Sequence, residues 1–156
     1  MTQLVALSQD DADAMATVHA AAFPGGEVWT ASEMIGLLDQ PANLARGLRD
    51  GPNLAAFILV QYVQDEAEIL TLATAPQARR RGFARTLLQA LEQEWAPSGL
   101  ATWQLDVRAD NSGARAFYEA LGFQTDGVRR NYYKHLEGGR IDAILMSKAV
   151  GGQTGQ

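Results

Sequence analysis

Residues 79–88 read RRRGFARTLL: three arginines in a row, then Gly82 and Ala84 on either side of Phe83, then the start of an apolar repeat at helical spacing. A loop that enters a helix through small residues points a row of backbone N–H groups along the helix axis, and such an end binds anions. Gly82 and Ala84 leave room for a phosphate to approach the main chain, and Arg79, Arg80, Arg81 and Arg85 would supply charge around a pyrophosphate. Cations at the start of a helix are disfavoured by its dipole, and a bound polyanion reverses that penalty. The plainer readings are a solvated basic turn or a small nucleic-acid patch.

The elements around this turn decide what it is attached to. Leu4–Leu7 is a short first strand. A helical pattern runs from Asp10 to Ala22, with Ser8 as its cap and Met15, Val18 and Ala22 on one stripe. FPGGEVW is a loop. Thr30 and Glu33 have capping-box spacing and open a second short helix that stops before Pro41. Residues 44–48, 54–63 and 66–74 read as strands. After the arginines, Phe83, Leu87, Leu91 and Trp95 form a helical stripe that ends near Pro97. ATWQLDVR alternates as a strand, with Trp103, Leu105 and Val107 facing one way and Gln104, Asp106 and Arg108 the other. Asn111 or Ser112 caps a short helix closed by Gly122. Two strands, 123–133 and 140–149, follow around Glu137-Gly138-Gly139. Strands first, then alternating strands and helices, predict a mixed α/β sheet covered by helices, with a crevice at the C-terminal ends of the central strands.

Composition narrows the function. The 156 residues are 47% apolar and 20% charged, which suits one globular domain, expected over residues 1–149 with GGQTGQ as a disordered tail. No apolar run is long enough to span a bilayer and the start lacks a signal-peptide pattern, so a cytoplasmic protein without membrane attachment is expected. The chain has no cysteine, which excludes disulfides, thiolate metal sites and a cysteine nucleophile. A net charge of -5 argues against a general nucleic-acid surface and makes the arginine cluster a local feature.

RRRGFA, between an EILTLAT strand and an amphipathic helix, fits the Q/R-x-x-G-x-G/A signature, and on it the chain resembles the GCN5-related N-acetyltransferases (GNAT). LDVRADNSGARAFYEALGF, RRNYY and DAILM resemble blocks of the RimI-type branch, which acetylates the N-terminal alanine of a small-subunit ribosomal protein. The resemblance is close over about residues 54–149 and lies only in the order of elements before that. It implies a mixed, mostly antiparallel sheet of about seven strands with a V-shaped splay, flanked by about four helices. It also implies acetyl-CoA as donor, no metal, and direct attack by an amine without a covalent enzyme intermediate.

Such a transfer needs a neutral amine, a stabilised oxyanion and a proton for the leaving thiolate. An α-amino group titrates at about 7.7–8.0 and a lysine at about 10.4, so the former needs less help from a base. Tyr118, in the FYE block, is the general acid that the resemblance implies; a packing tyrosine is the alternative. Asp106 stands where RimI-type enzymes carry a glutamate base and keeps the carboxylate on an arm one methylene shorter. Glu68, in an Ala67-Glu68-Ile69 block like that of the histone-acetyltransferase branch, is the second candidate; it shares a strand face with Leu70 and Leu72, where partial burial raises a carboxyl pKa. The main chain of Leu72, Ala73 and Thr74 takes the family's positions along the pantetheine arm, and Asn111 is either a helix cap or, as the resemblance implies, a holder of the same arm, or both.

The acceptor side is implied by Arg129, Arg130, Asn131, Tyr132 and Tyr133, which close the groove in RimI-type enzymes, together with Asp142, Ala143 and Met146. FPGGEVW departs from the family's compact F-P-W by an insertion beside that groove, making Glu27 and Trp29 candidate contacts. His19 reads as a helix-face residue, and His135 carries no metal or triad signal. The expected partners are acetyl-CoA and a protein N-terminus or small amine, with no nucleic acid, in a monomer or weak homodimer. A small-molecule acetyltransferase and a non-catalytic acyl-CoA sensor are the rival readings.

Overall fold

A computed structural model of the protein describes residues 2–24, 29–134 and 138–150. The chain opens on strand β1 (Thr2–Leu7), after which two side chains take up main-chain donors of the next turn: Ser8 Oγ accepts from Asp10 N at 3.3 Å and Asp11 Oδ2 from Ser8 N at 2.9 Å. The helix expected from Asp10 therefore begins as a tight 3-10 turn, Gln9–Asp11, and becomes α1 over Ala12–Ala22. The sequence-predicted capping box is present at α2 (Ala31–Leu38), where Thr30 Oγ1 accepts from Glu33 N at 3.1 Å and Glu33 Oε1 from Thr30 N at 2.9 Å.

Strands β2 (Asn43–Asp50), β3 (Asn53–Val63) and β4 (Glu66–Thr74) follow as an antiparallel meander. Every residue of β3 from Leu54 to Val60 is buried, so this strand is the floor of the core rather than an alternating surface strand. Burying each of its large apolar side chains contributes about 1.5–3 kcal/mol. Gly47 on β2 lets the Leu54 and Leu7 side chains pack closely: a Cβ there would lie 2.8 Å from Leu54 Cδ1 and 2.9 Å from Leu7 Cδ1, so both ends would have to shift.

Helix α3 (Phe83–Trp95) lays Phe83, Leu87, Leu88, Leu91 and Trp95 on the sheet. The next strand, β5 (Thr102–Arg108), buries Trp103 against it, and the indole N–H donates to Glu92 Oε2 at 2.9 Å, so the polar edge of this fully buried ring is satisfied. Helix α4 (Ser112–Ala120) starts with Asn111 Oδ1 accepting from Ala114 N at 3.0 Å and ends at Gly122, whose φ of 101° suits glycine. Strands β6 (Gln124–Lys134) and β7 (Arg140–Ala149) complete a seven-stranded sheet in the order β1-β2-β3-β4-β5-β7-β6, with four α-helices among the described residues. The pair β4–β5 is parallel and the other pairs are antiparallel. Glu137 in the last turn and the tail at 151–156 lie outside the described residues.

The parallel pair sets the site. It is in register from Glu66↔Thr102 to Ile69↔Leu105 and no further, although β4 continues to Thr74 and β5 to Arg108. The separation coincides with a bulge: Val60 faces Ile69 while Leu59 faces Thr71, so Leu70 is an extra residue on β4. A bulge bends and twists its strand, which here turns β4 away from β5 and opens the expected V.

Candidate active site

Past the last β4–β5 pair, the two strands expose facing main-chain edges, and a cleft of about 180 Å³ lies between them. Its walls include Leu72 of β4, Asp106 and Arg108 of β5, Asn111 and Tyr118 from around α4, Tyr133 of β6, and His19 and Trp29 from the α1–α2 side. Sequence-predicted residues from four separate blocks thus meet around one opening. In a strand, N–H and C=O groups alternate between its two sides, so along Leu70–Thr74 those not used by β3 point into the gap.

One end of the cleft's strand β4 leads to the arginine turn. Arg80 has a φ of 67° and Gly82 one of 76°, a left-handed alternation that gathers successive N–H groups on one side of the chain. A Cβ on Gly82 would meet nothing within 4 Å, so the glycine is required for its conformation rather than for space inside the protein. The first turn of α3 has no side-chain cap and no acidic residue. Its donors are thereby left for an anion, and the surrounding charge is basic, so the residues present fit a bound pyrophosphate. The four arginines are not equivalent. Arg79 Nη2 donates to Ala22 O at the end of α1 at 3.2 Å, and Arg81 pairs with Asp50 at 2.8 Å while lying 4.6 Å from the Phe83 ring. Arg80 and Arg85 are exposed.

Asp106 projects from the β5 face opposite Trp103, Leu105 and Val107, as the alternation predicts, and Arg129 Nη1 lies 3.6 Å from its Oδ2. Glu68 stands outside the lining of the cleft but within electrostatic reach of Asp106. Burial raises its pKa, the direction expected from its place beside Leu70 and Leu72; the Asp106 charge raises it further and Arg129 lowers it. Tyr118 is the buried residue of α4, and Phe117 beside it is half-buried and packs edge-on against it at 5.2 Å. Burial pushes the Tyr118 phenol above its ordinary pKa, so it stays protonated and able to donate. Asn111 both caps α4 and lines the cleft.

On the acceptor side, Trp29 is in the wall, Glu27 lies outside the described residues, and Tyr133 lines the cleft while Tyr132 and Arg130 are exposed beside it. His19 is a correction to the sequence reading. It is only 4% exposed, its ring stacks on Trp29 at 4.7 Å and meets Phe23 at 4.9 Å, and burial brings its pKa down to about 4, leaving a neutral imidazole in the wall. The signal was its spacing of four from Met15, which puts it on the buried stripe. His135 lies outside the described residues.

A splayed parallel pair, an uncapped basic helix end and a cleft carrying a carboxylate and a phenol define an acyl-CoA-type transferase fold. A family model for the acetyltransferase (GNAT) family matches residues 12–123, and the chain belongs to that family. It is an N-acetyltransferase that uses acetyl-CoA as donor. It is similar to the [ribosomal protein bS18]-alanine N-acetyltransferase of Escherichia coli K12, with 43% identity over 103 residues, 66% of this chain and 69% of that one. The N-alpha-acetyltransferase RimI of Mycobacterium tuberculosis is 33% identical over 133 residues, 83% of this chain and 82% of that one. The crystal structure of the ribosomal-protein-S18-alanine N-acetyltransferase from Escherichia coli matches with a TM-score of 0.87 at 33% identity, covering 100% of this chain and 99% of that one. Among the described residues, no helix is long and apolar enough to cross a membrane and no group of side chains could hold a metal.

Proposed function

We propose that this enzyme acetylates the α-amino group at a protein N-terminus, with a ribosomal bS18-type terminal alanine as the first acceptor to test, acting in the cytoplasm as one catalytic domain over residues 1–149, a monomer or weak homodimer. The observation that carries this reading is the cleft itself, which opens where β4 and β5 part and is lined by both the Asp106 carboxylate and the Tyr118 phenol. The relatives described above act on such termini, which supports the acceptor class.

The first turn of α3, with Gly82, Ala84, Arg80 and Arg85, holds the diphosphate. Main-chain groups of Leu72, Ala73 and Thr74, with Asn111, align the arm and polarise the thioester carbonyl. The amine nitrogen attacks that carbon: a C–N bond forms, the C–S bond breaks, Asp106 or Glu68 accepts the amine proton, and Tyr118 gives its proton to the departing thiolate. Trp29, Tyr132, Tyr133 and Arg130 border the path of the peptide.

A thiol-release assay over a panel of N-terminal peptides, internal-lysine peptides and small amines tests the acceptor. N-terminal alanine peptides are expected to turn over fastest; turnover with small amines alone overturns the acceptor class, and none with any amine favours a sensor. Tyr118→Phe is expected to lower kcat by about 100-fold or more while the coenzyme A Kd stays at the parent value.

A further inference from the structure

Arg129 is the last residue of β6 in register before a disruption. It faces Ala143 on β7, and pairing resumes only at Tyr133↔Ile141. Within the intervening bulge, Asn131 takes a φ of 55° and its N–H donates to Asp142 Oδ1 at 2.8 Å. Asparagine is among the residues that tolerate this conformation, and the Asp142 contact pins it. The bulge brings the Tyr132 ring to 4.8 Å from the Arg129 guanidinium, which in turn reaches Asp106 at 3.6 Å. At that distance the contact is one of charge rather than a hydrogen bond, and half of the Arg129 side chain is in water.

Glu68 and Asp106 occupy the same face of adjoining strands, since Glu68 pairs with Gln104 and Asp106 is two residues on. Neighbouring carboxylates oppose each other's ionisation, and a cation between them favours it. The other ionisable groups nearby are engaged or neutral. Arg108 grips Asp110 through two hydrogen bonds of 3.0 and 3.1 Å, Asp142 holds the Asn131 N–H, and His19 and Tyr118 are neutral.

We propose that Arg129 is the resident counter-ion of the Glu68–Asp106 pair, a positioning residue that balances the charge of the two carboxylates until the ammonium of the acceptor takes its place. One cation replaces another, so the charge of the pocket is conserved as the acceptor enters. The displaced guanidinium keeps its seat over Tyr132, a cation–π contact that survives the exchange. The carboxylates then face an ammonium they are charged to deprotonate. The inference rests on the base assignment given under the proposed function, and its direct readout does not require activity.

The test is a carboxyl ¹³C NMR titration of Glu68 and Asp106 in the full-length protein, comparing the parent with Arg129→Gln and Arg129→Lys. Removing a nearby positive charge raises carboxyl pKa values, so Arg129→Gln is expected to move the midpoints up by about 0.5–1 pH unit, and Arg129→Lys to restore them. The acidic limb of kcat/KM for an N-terminal alanine peptide, which reports the free enzyme, is expected to move up by the same interval. Midpoints that do not move in Arg129→Gln overturn the proposal. Midpoints that move while the kcat/KM limb stays fixed support the counter-ion and overturn the base assignment beneath it.

Discussion

At the start of α2, Thr30 and Glu33 exchange hydrogen bonds with each other's main-chain N–H groups; at the start of α3, Gly82 offers no side chain and the first turn carries no carboxylate. Both ends present the same orphan donors to solvent. At α2 the protein supplies the acceptors itself, and the helix is finished without help. At α3 the donors are left open behind a left-handed glycine and ringed with arginines, a costly arrangement for a helix that served only the fold. The contrast separates an end closed by its own side chains from one left open for the proposed diphosphate, and it is written in the residue types at each cap.

Substitutions at the two ends break or sharpen this contrast. The largest effect is expected from Gly82→Asp. Aspartate tolerates a left-handed φ better than most residues and suits a helix N-terminus, so the fold should persist, while its carboxylate repels the diphosphate. Calorimetry is expected to show coenzyme A affinity lower by about 100-fold or more; parent-like affinity in a folded variant removes α3 as the ligand's seat. Next come the arginines. A charge-assisted hydrogen bond contributes about 1.5–3 kcal/mol, so Arg80→Ala is expected to weaken coenzyme A binding by about 10- to 100-fold. Arg81 must first leave Asp50, and Arg81→Ala is expected to cost only about threefold. Equal losses at the two positions erase the distinction drawn between them. The smallest effect belongs to α2: Thr30→Ala is expected to lower stability in urea by about 1 kcal/mol and leave the coenzyme A Kd unchanged.

What the sequence disclosed and what it withheld divide along the range of the interactions. The caps at Thr30 and Asn111, the stripe of α3 and the alternation of β5 depend on residues a few positions apart, and each is found where spacing put it. The bulge at Leu70 does not announce itself, because it is defined by which residues of β3 lie opposite. The insertion of β7 between β5 and β6 is equally a matter of distant pairing, and no local pattern discloses it. Likewise Arg79 and Arg81 look alike in a run of three, yet one is claimed by the last turn of α1 and the other by the end of β2. Their partners lie 57 and 31 residues away, beyond any local pattern. His19 lies within reach of periodicity, but histidine is intermediate between core and surface in its ordinary burial, so its type alone does not place it inside.

The gap between β4 and β5 has a further consequence for life in a crowded solution. Unpaired strand edges invite other chains to add on, and exposed ones are a hazard for assembly into fibres. Here the two bare edges look at each other across a cleft within the sheet, walled in part by residues of α1 and α4. A slim extended molecule can enter and borrow the free ladder, whereas sheet-to-sheet addition needs an edge that faces outward, and those are β1 and β6. Splitting the sheet in its middle therefore frees backbone for a substrate arm without adding an outer edge.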